Sequence, residues 1–260
     1  MSYQVADQWE WTLKVDSYMV GPEWTLRPAY QLKLQQEIGE RHFAAGGLGY
    51  ETLYREGVVF VLTRLNSVIR RAPRLHETVR LQTWHRSPKG SQFFRCYRFL
   101  SEAGDPLIES VSAFTLVDPV QHRLLRPAAF EKFGVAGQDY TVDCPDPAKM
   151  RMPAGLQPVG DHVVRRSEID FNGHLNNTEY AELLADYAPG GMEGRTVTGF
   201  GIAYRKESRE GQALALSALD DGSTVWMQGD RDGATCFTAS MSYTRSRPPI
   251  KEEFYVCRCS

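Results

Sequence analysis

Asp170-Phe171-Asn172-Gly173-His174-Leu175-Asn176-Asn177-Thr178-Glu179-Tyr180 packs a carboxylate, an amide and an imidazole into five residues and then starts a helix. Asn176 can cap that helix, Glu179 stands three residues on as a capping-box partner, and Leu175 and Tyr180 occupy the staple positions. Tyr180, Leu183, Leu184 and Tyr187 recur at i, i+3, i+4 and i+7, one apolar stripe, before Pro189-Gly190-Gly191 ends the run. The spacing predicts a helix over 177–187. Asp170, Asn172 and His174 then lie in the loop that delivers the chain to a helix N-terminus. Free N–H groups and the positive end of a dipole favour, at such a place, an oxygen that gains negative charge. Taken singly, Asn-Gly is a turn and His174 a loop neighbour; it is their combination that marks a site.

Composition limits what such a site can serve. The 260 residues, 42% of them hydrophobic, can bury one large core or two of about 125 residues each. A formal net charge of -2, from 30 basic and 32 acidic residues, argues against nucleic-acid binding, which rests on an excess of Lys and Arg. The first residues carry neither a basic nor an apolar leader region, and nowhere do about 18 apolar residues run together. A cytoplasmic chain without a membrane span is expected. Five scattered cysteines, Cys96, Cys144, Cys236, Cys257 and Cys259, suit reduced thiols. Two motif matches carry nothing: Asn176-Asn177-Thr178 is a sequon without a secretion signal, and Cys257-Arg258-Cys259-Ser260 has Arg where a prenylation box needs an aliphatic residue.

The remainder of the chain repeats one order of elements. Trp9 to Asp16 alternates like a half-buried strand, and from Pro28 the residues Tyr30, Leu34 and Ile38 begin a helix that runs to about Phe43. Strand-like segments follow at Gly57 to Leu65, Glu77 to Ser87, Ser91 to Leu100 and Ile108 to Asp118. Residues 126–160 dissolve into Pro, Gly, Asp and Ala, the expected linker between an N-terminal domain of residues 1–125 and a C-terminal domain of 161–260. The first order then returns: a strand from His162 to Ser167, the site loop, a helix, and strands at 197–205, 212–219, 224–230 and 234–244. Val68-Ile69-Arg70-Arg71-Ala72 aligns with Ala203-Tyr204-Arg205-Lys206-Glu207. A helix in each half wrapped by a curved antiparallel sheet is an α+β hot-dog fold, here in tandem.

Asp170-x-Asn172-x-His174-x-Asn176-Asn177-x-x-Tyr180, followed by Tyr204-Arg205-Lys206-Glu207, resembles the acyl-acyl carrier protein thioesterases of bacteria and plants. Ile69-Arg70-Arg71-x-Pro73, Glu77-Thr78-Val79, Thr83-Trp84 and Thr115-Leu116-Val117-Asp118 resemble the N-terminal domain of that family. The resemblance implies a double hot-dog fold and hydrolysis of the acyl thioester that ends fatty-acid elongation. It also implies a site of Asp170, Asn172, His174 and Glu207, with no cofactor. Plant members carry a cysteine after the glutamate; here that position is Ser208.

Thioester hydrolysis needs a base for water and donors for the oxyanion, but little acid help, because a thiol of pKa about 8.5 leaves readily. Glu207 or Asp170 would be the base, Asn172 would orient water or carboxylate, and His174 would bond the carbonyl or the departing sulfur. Backbone N–H groups from Gly173 to Asn176 would join it as donors. Ala72 stands opposite Glu207, and the loop Asp16 to Glu23 has neither Asn nor His, so one site per chain is expected, the first repeat holding the acyl chain. Trp84 and Phe93 are candidate walls. Arg70, Arg71, Arg74, Arg205, Lys206 and Arg209 are candidates for docking an acidic carrier protein. A metal is not expected, since His174 would be the only imidazole ligand. Coenzyme A as donor, a dehydratase and a non-catalytic acyl-thioester binder remain alternatives, and a homodimer is compatible with the sequence.

Overall fold

The computed structural model describes residues 3–245; Cys257 and Cys259 lie outside them. The first repeat contributes β1 (Trp9–Lys14), α1 (Pro28–Ala45), α2 (Tyr50–Arg55), β2 (Val59–Ile69), β3 (Thr78–Lys89), β4 (Gln92–Ser101) and β5 (Pro106–Val117). After the short α3 (Ala128–Glu131), the second contributes β6 (Gln157–Val163), α4 (Glu179–Asp186), β7 (Arg195–Tyr204), β8 (Ala213–Asp220), β9 (Thr224–Arg231) and β10 (Ala234–Arg245). All ten strands form one antiparallel sheet in the order β1-β3-β4-β5-β2-β7-β10-β9-β8-β6. Each half of that order mirrors the other.

The mirror is an approximate two-fold axis through the β2/β7 pair. Asn66 faces Gly201 there, and these two residues are also equivalent in the alignment that sets Val68 against Ala203. The seam is tight: a Cβ at Gly199 would stand 2.7 Å from the Ser67 carbonyl oxygen, and one at Gly201 2.8 Å from Asn66 Oδ1. Glycine at both lets the strands close.

The helices lie on one face of the sheet. Pro28 opens α1 and Gly46 follows its end. Ile38, Leu81 and Phe99 of the first repeat share one buried cluster with Leu184, Phe237 and Met241 of the second. Burying each such side chain contributes about 2 kcal/mol, and because the cluster spans the seam the repeats are stabilised together. Lys33 to Glu179 (3.0 Å) and Arg27 to Glu182 (3.2 Å) bridge the helices at the surface.

Three local expectations differ. Glu179 pairs with Lys33 instead of closing a capping box, and the Asn176 N–H donates to the Glu168 carbonyl. The helix expected over 177–187 spans Glu179–Asp186, and the strand expected at 162–167 begins at Gln157 and gives way to a 3-10 turn at Arg166–Glu168. Residues 140–150 run along the sheet's other face: Tyr140 accepts from Trp84 Nε1 at 2.9 Å, Pro145 from Asn66 at 3.1 Å, and Asp146 pairs with Arg86 at 2.7 Å.

Candidate active site

The site loop is built on Asp170. Its Oδ1 accepts the N–H groups of Asn172 (2.9 Å) and His174 (3.2 Å), its carbonyl accepts from Gly173 (3.0 Å), and its own N–H donates to the His174 carbonyl (2.8 Å). Gly173 sits at φ +80°, the left-handed conformation that glycine adopts without a Cβ penalty. Ile169 pairs with Leu175 to close the loop, and the Leu175 N–H donates to the Ser208 carbonyl at 2.7 Å, tying it to the segment after β7. That tie carries Glu207 to His174, with Oε2 2.9 Å from Nε2.

Every N–H from Asn172 to Asn176 is thus engaged within the protein, which corrects the expectation that those of Gly173 to Asn176 await an oxyanion. Asn176 is committed to structure as well: its Oδ1 accepts the Thr178 N–H at 3.0 Å in the turn that leads into α4, and its side chain does not line the cavity. Donors must come from side chains or from outside that run, as at Asn177 on the cavity wall. Tyr50, at the start of α2, gives its phenolic hydrogen to Asn172 Oδ1 at 3.0 Å, which occupies the amide oxygen and leaves the amide nitrogen as the donor. Partial burial, with Tyr54, Asp170 and Glu40 nearby, holds that phenol above its ordinary range, so it stays a donor. Its ring meets Phe171 edge-on at 5.2 Å.

Asp170, Asn172, Asn177 and Thr178 line one end of a cavity of about 960 Å³. Phe171 and Tyr204 join them from the second repeat, Phe130 of α3 adds a ring, and the rest of the wall is first-repeat residues, among them Leu32, Phe43, Leu53, Phe60 and Phe93. Phe93 therefore faces the cavity, but Trp84 does not: it is 1% exposed and packs with Cys96, Val111 and Cys144 on the other side of the sheet. Strand alternation explains the difference, because Trp84's neighbour His85 points inward. Tyr50 and Asn177 were missed from the sequence. The six-residue α2 gives almost no periodic signal, and Asn177 looks like a second cap residue.

Glu207 stands on another surface. Its side chain is 64% exposed and lines a recess of about 420 Å³ with Arg205, Lys206, Arg209, Gln212 and Arg231. Ser208 is fully buried; Arg231 Nη1 donates to its Oγ at 3.2 Å and to the Glu207 carbonyl at 2.8 Å. The six candidate docking cations do not form one patch. Arg205 follows the end of β7 while Arg70 follows the opposite end of the antiparallel β2, roughly 25 Å away at strand rise. Arg70 is paired with Glu109 and Asp143, Arg71 with Glu77, and the Arg74 N–H donates to Glu77.

The first repeat has the same loop without the chemistry. Val20 pairs with Leu26 as Ile169 does with Leu175, so Gly21, Glu23, Trp24 and Thr25 occupy the places of Asp170, Asn172, Gly173 and His174. The backbone bonds repeat too: Gly21 N–H to the Thr25 carbonyl at 3.1 Å and Trp24 N–H to the Gly21 carbonyl at 2.9 Å. Trp24 even takes the left-handed conformation, φ +61°.

A double hot-dog protein with one acid, amide and imidazole loop on its second repeat is the class that fold and loop define. Sequence comparison gives the family: residues 6–128 match the model of the acyl-ACP thioesterase N-terminal domain and 158–239 that of the C-terminal domain. The chain belongs to the acyl-ACP thioesterase family. It is 23% identical over 232 residues to the chloroplastic palmitoyl-acyl carrier protein thioesterase of Gossypium hirsutum, a match covering 81% of this chain and 54% of that one. The chain thus spans about half the length of that relative. Among solved structures, the 12:0-ACP thioesterase of Umbellularia californica superposes with a TM-score of 0.79 at 19% identity, covering 93% of this chain and 98% of the other. An acyl-ACP thioesterase of Bacteroides thetaiotaomicron gives 0.77 at 19%, covering 92% and 98%. At that identity the likeness speaks for the fold.

Proposed function

We propose that the protein hydrolyses fatty acyl thioesters, with acyl carrier protein as the donor and free fatty acid as the product. The observation that carries the reading is one largely apolar cavity with Asp170 and Asn172 on its wall, in the same loop that carries His174 and its contact to Glu207. In this reading the first domain, 1–125, holds the acyl chain, the segment 126–160 links, and the second domain, 161–260, carries the chemistry.

Asp170, the carboxylate on the cavity wall, takes a proton from water as it attacks the thioester carbonyl. Asn172, its oxygen held by Tyr50, offers its amide hydrogens to the attacking water or the oxyanion. His174, steadied by Glu207, hydrogen-bonds the carbonyl or the departing sulfur. Collapse of the tetrahedral intermediate expels the thiol, and no covalent enzyme intermediate is required. Arg205, Lys206, Arg209 and Arg231, grouped around Glu207, suit docking of an acidic carrier on the Glu207 side of the site loop. The buried free cysteines Cys96, Cys144 and Cys236 suit a reducing compartment, the cytoplasm. Among the described residues no helix is long and apolar enough to cross a membrane. A homodimer is not needed to complete the site, because β2 and β7 already join the two repeats in one chain.

Thiol release measured across acyl chain lengths, on carrier protein and on coenzyme A, tests the reading. Release from both at equal efficiency would leave hydrolysis standing and remove the carrier preference. Hydration of an enoyl thioester without thiol release would overturn hydrolysis in favour of a dehydratase.

A further inference from the structure

Phe171 is 74% exposed, yet it also lines the cavity, so its ring stands on the lip where the cavity meets solvent. A large apolar side chain that stabilises a loop is buried by that loop. This one sits between Asp170 and Asn172 and stays outside. The loop does not need the ring for its shape, because Pro22 holds the same place in the first-repeat loop, which keeps the backbone bonds.

Further rings continue outward from it. Tyr50 meets Phe171 edge-on at 5.2 Å and lines the cavity as well. Tyr54, one turn along α2, has its ring centre 6.0 Å from that of Tyr50, is 47% exposed and does not line the cavity. Phe171, Tyr50 and Tyr54 thus form an aromatic strip that begins at the site loop and ends in solvent. An exposed ring standing alone is ordinary surface; contiguous rings beside a cavity mark a binding surface.

The occupant follows from how a thioester must sit. With its carbonyl at Asp170 and Asn172 and its alkyl chain in the cavity, the sulfur and everything attached to it leave by the lip, across Phe171. The arm that bears this sulfur in acyl carrier protein and in coenzyme A alike is pantetheine, an uncharged chain of amides, short methylene links and a geminal dimethyl group. Aromatic faces with phenol tips match that mixture, the rings taking the methyl and methylene groups and a tyrosine hydroxyl the amides. We propose that Phe171, Tyr50 and Tyr54 are the track on which the pantetheine arm of the substrate lies, with Phe171 its principal contact. The proposal rests on the thioesterase reading for the identity of the substrate.

The test compares kcat/KM for thioesters of one acyl chain on pantetheine and on ethanethiol, in the parent and in variants, so that the different reactivity of the two thiols cancels. Phe171→Ala should lower the value for the pantetheine thioester by about tenfold, the scale of uncovering much of one ring, and that for the ethyl thioester by less than about twofold. Phe171→Leu, which keeps apolar bulk, should restore most of the loss, and Tyr54→Ala should show a smaller loss of the same kind. No loss in Phe171→Ala, equal losses on both thioesters, or a silent Tyr54→Ala overturns the proposal. Loss of binding to phosphatidylglycerol vesicles in Phe171→Ala, with the thioester ratio unchanged, overturns it in favour of a membrane surface. Calorimetry with an S-alkyl pantetheine thioether, which cannot be hydrolysed, separates the two readings. Weaker binding of the thioether to Phe171→Ala, with no thiol release from either thioester in the parent, would sink hydrolysis and keep the track; hydrolysis with equal thioether binding would do the reverse.

Discussion

Asp170 both organises its loop and faces the cavity, and the two duties can be separated. Asp170→Asn keeps an oxygen that can accept from Asn172 and His174 but removes the proposed base. With His174→Ala and Glu207→Gln, it should lower kcat by about a hundredfold or more, the usual scale for a general base or oxyanion donor, with the melting temperature of Asp170→Asn little changed. Ser208→Ala should stay within about tenfold of the parent activity and show no lost acyl-enzyme burst, because its hydroxyl is buried on Arg231 and far from acting as a nucleophile with His174, whose Nε2 meets Glu207. A burst in single-turnover kinetics that vanishes in Ser208→Ala would refute the water mechanism. Tyr50→Phe should lower kcat by about threefold to tenfold, the worth of one hydrogen bond that fixes an amide. The loop was legible because Asp, Asn-Gly and His crowd five residues. Tyr50 was not, since what brings it there is a distant fold contact with no local pattern.

At the scale of elements, the seam between β2 and β7 is where sequence alone says least and packing demands most. Gly199→Ala puts a methyl group 2.7 Å from the Ser67 carbonyl oxygen, and backbone cannot yield as a side-chain tip does. The variant should lose about 1–3 kcal/mol of stability, read as a lower denaturant midpoint, the range typical of overpacking. Strands were legible from alternation, and nine of the ten stand close to where alternation sets them, the exception being β6. Which face of β3 points inward was not: Trp84 and His85 are neighbours, and only the register with β4 decides that the imidazole meets the cavity and the indole the segment at Tyr140. Antiparallel pairing likewise splits Arg70, Arg71 and Arg74 from Arg205, Lys206 and Arg209, which look alike in the alignment for the very reason that the two-fold axis sends them to opposite ends.

For the whole molecule, charge and proton balance give two further outcomes. If an acidic carrier docks at Arg205, Lys206 and Arg209, raising salt should lower turnover on the carrier-linked substrate far more than on a soluble thioester analogue. Equal responses would remove that docking surface. His42 and His85 are held at about 4 and about 3, chiefly by burial and then by Arg95, below the ordinary 6.5. Between those values the unfolded chain binds protons that the folded chain refuses. Stability from this pair is therefore intact above about pH 6.5 and falls as pH drops towards 4, and His85→Phe should reduce that slope by about one bound proton. A slope identical to the parent would show that His85 titrates normally in the folded protein.

The loop at Gly21 to Thr25 has the backbone of the reactive loop and none of its reactive groups. If the second-repeat loop carries the chemistry, as proposed, the first-repeat lining is free to vary without touching it. Selection for a new fatty acid can then act on Phe93, Arg95 or His85 alone, and chimeras that exchange first repeats between relatives should inherit the chain preference of one parent and the pH profile of catalysis of the other.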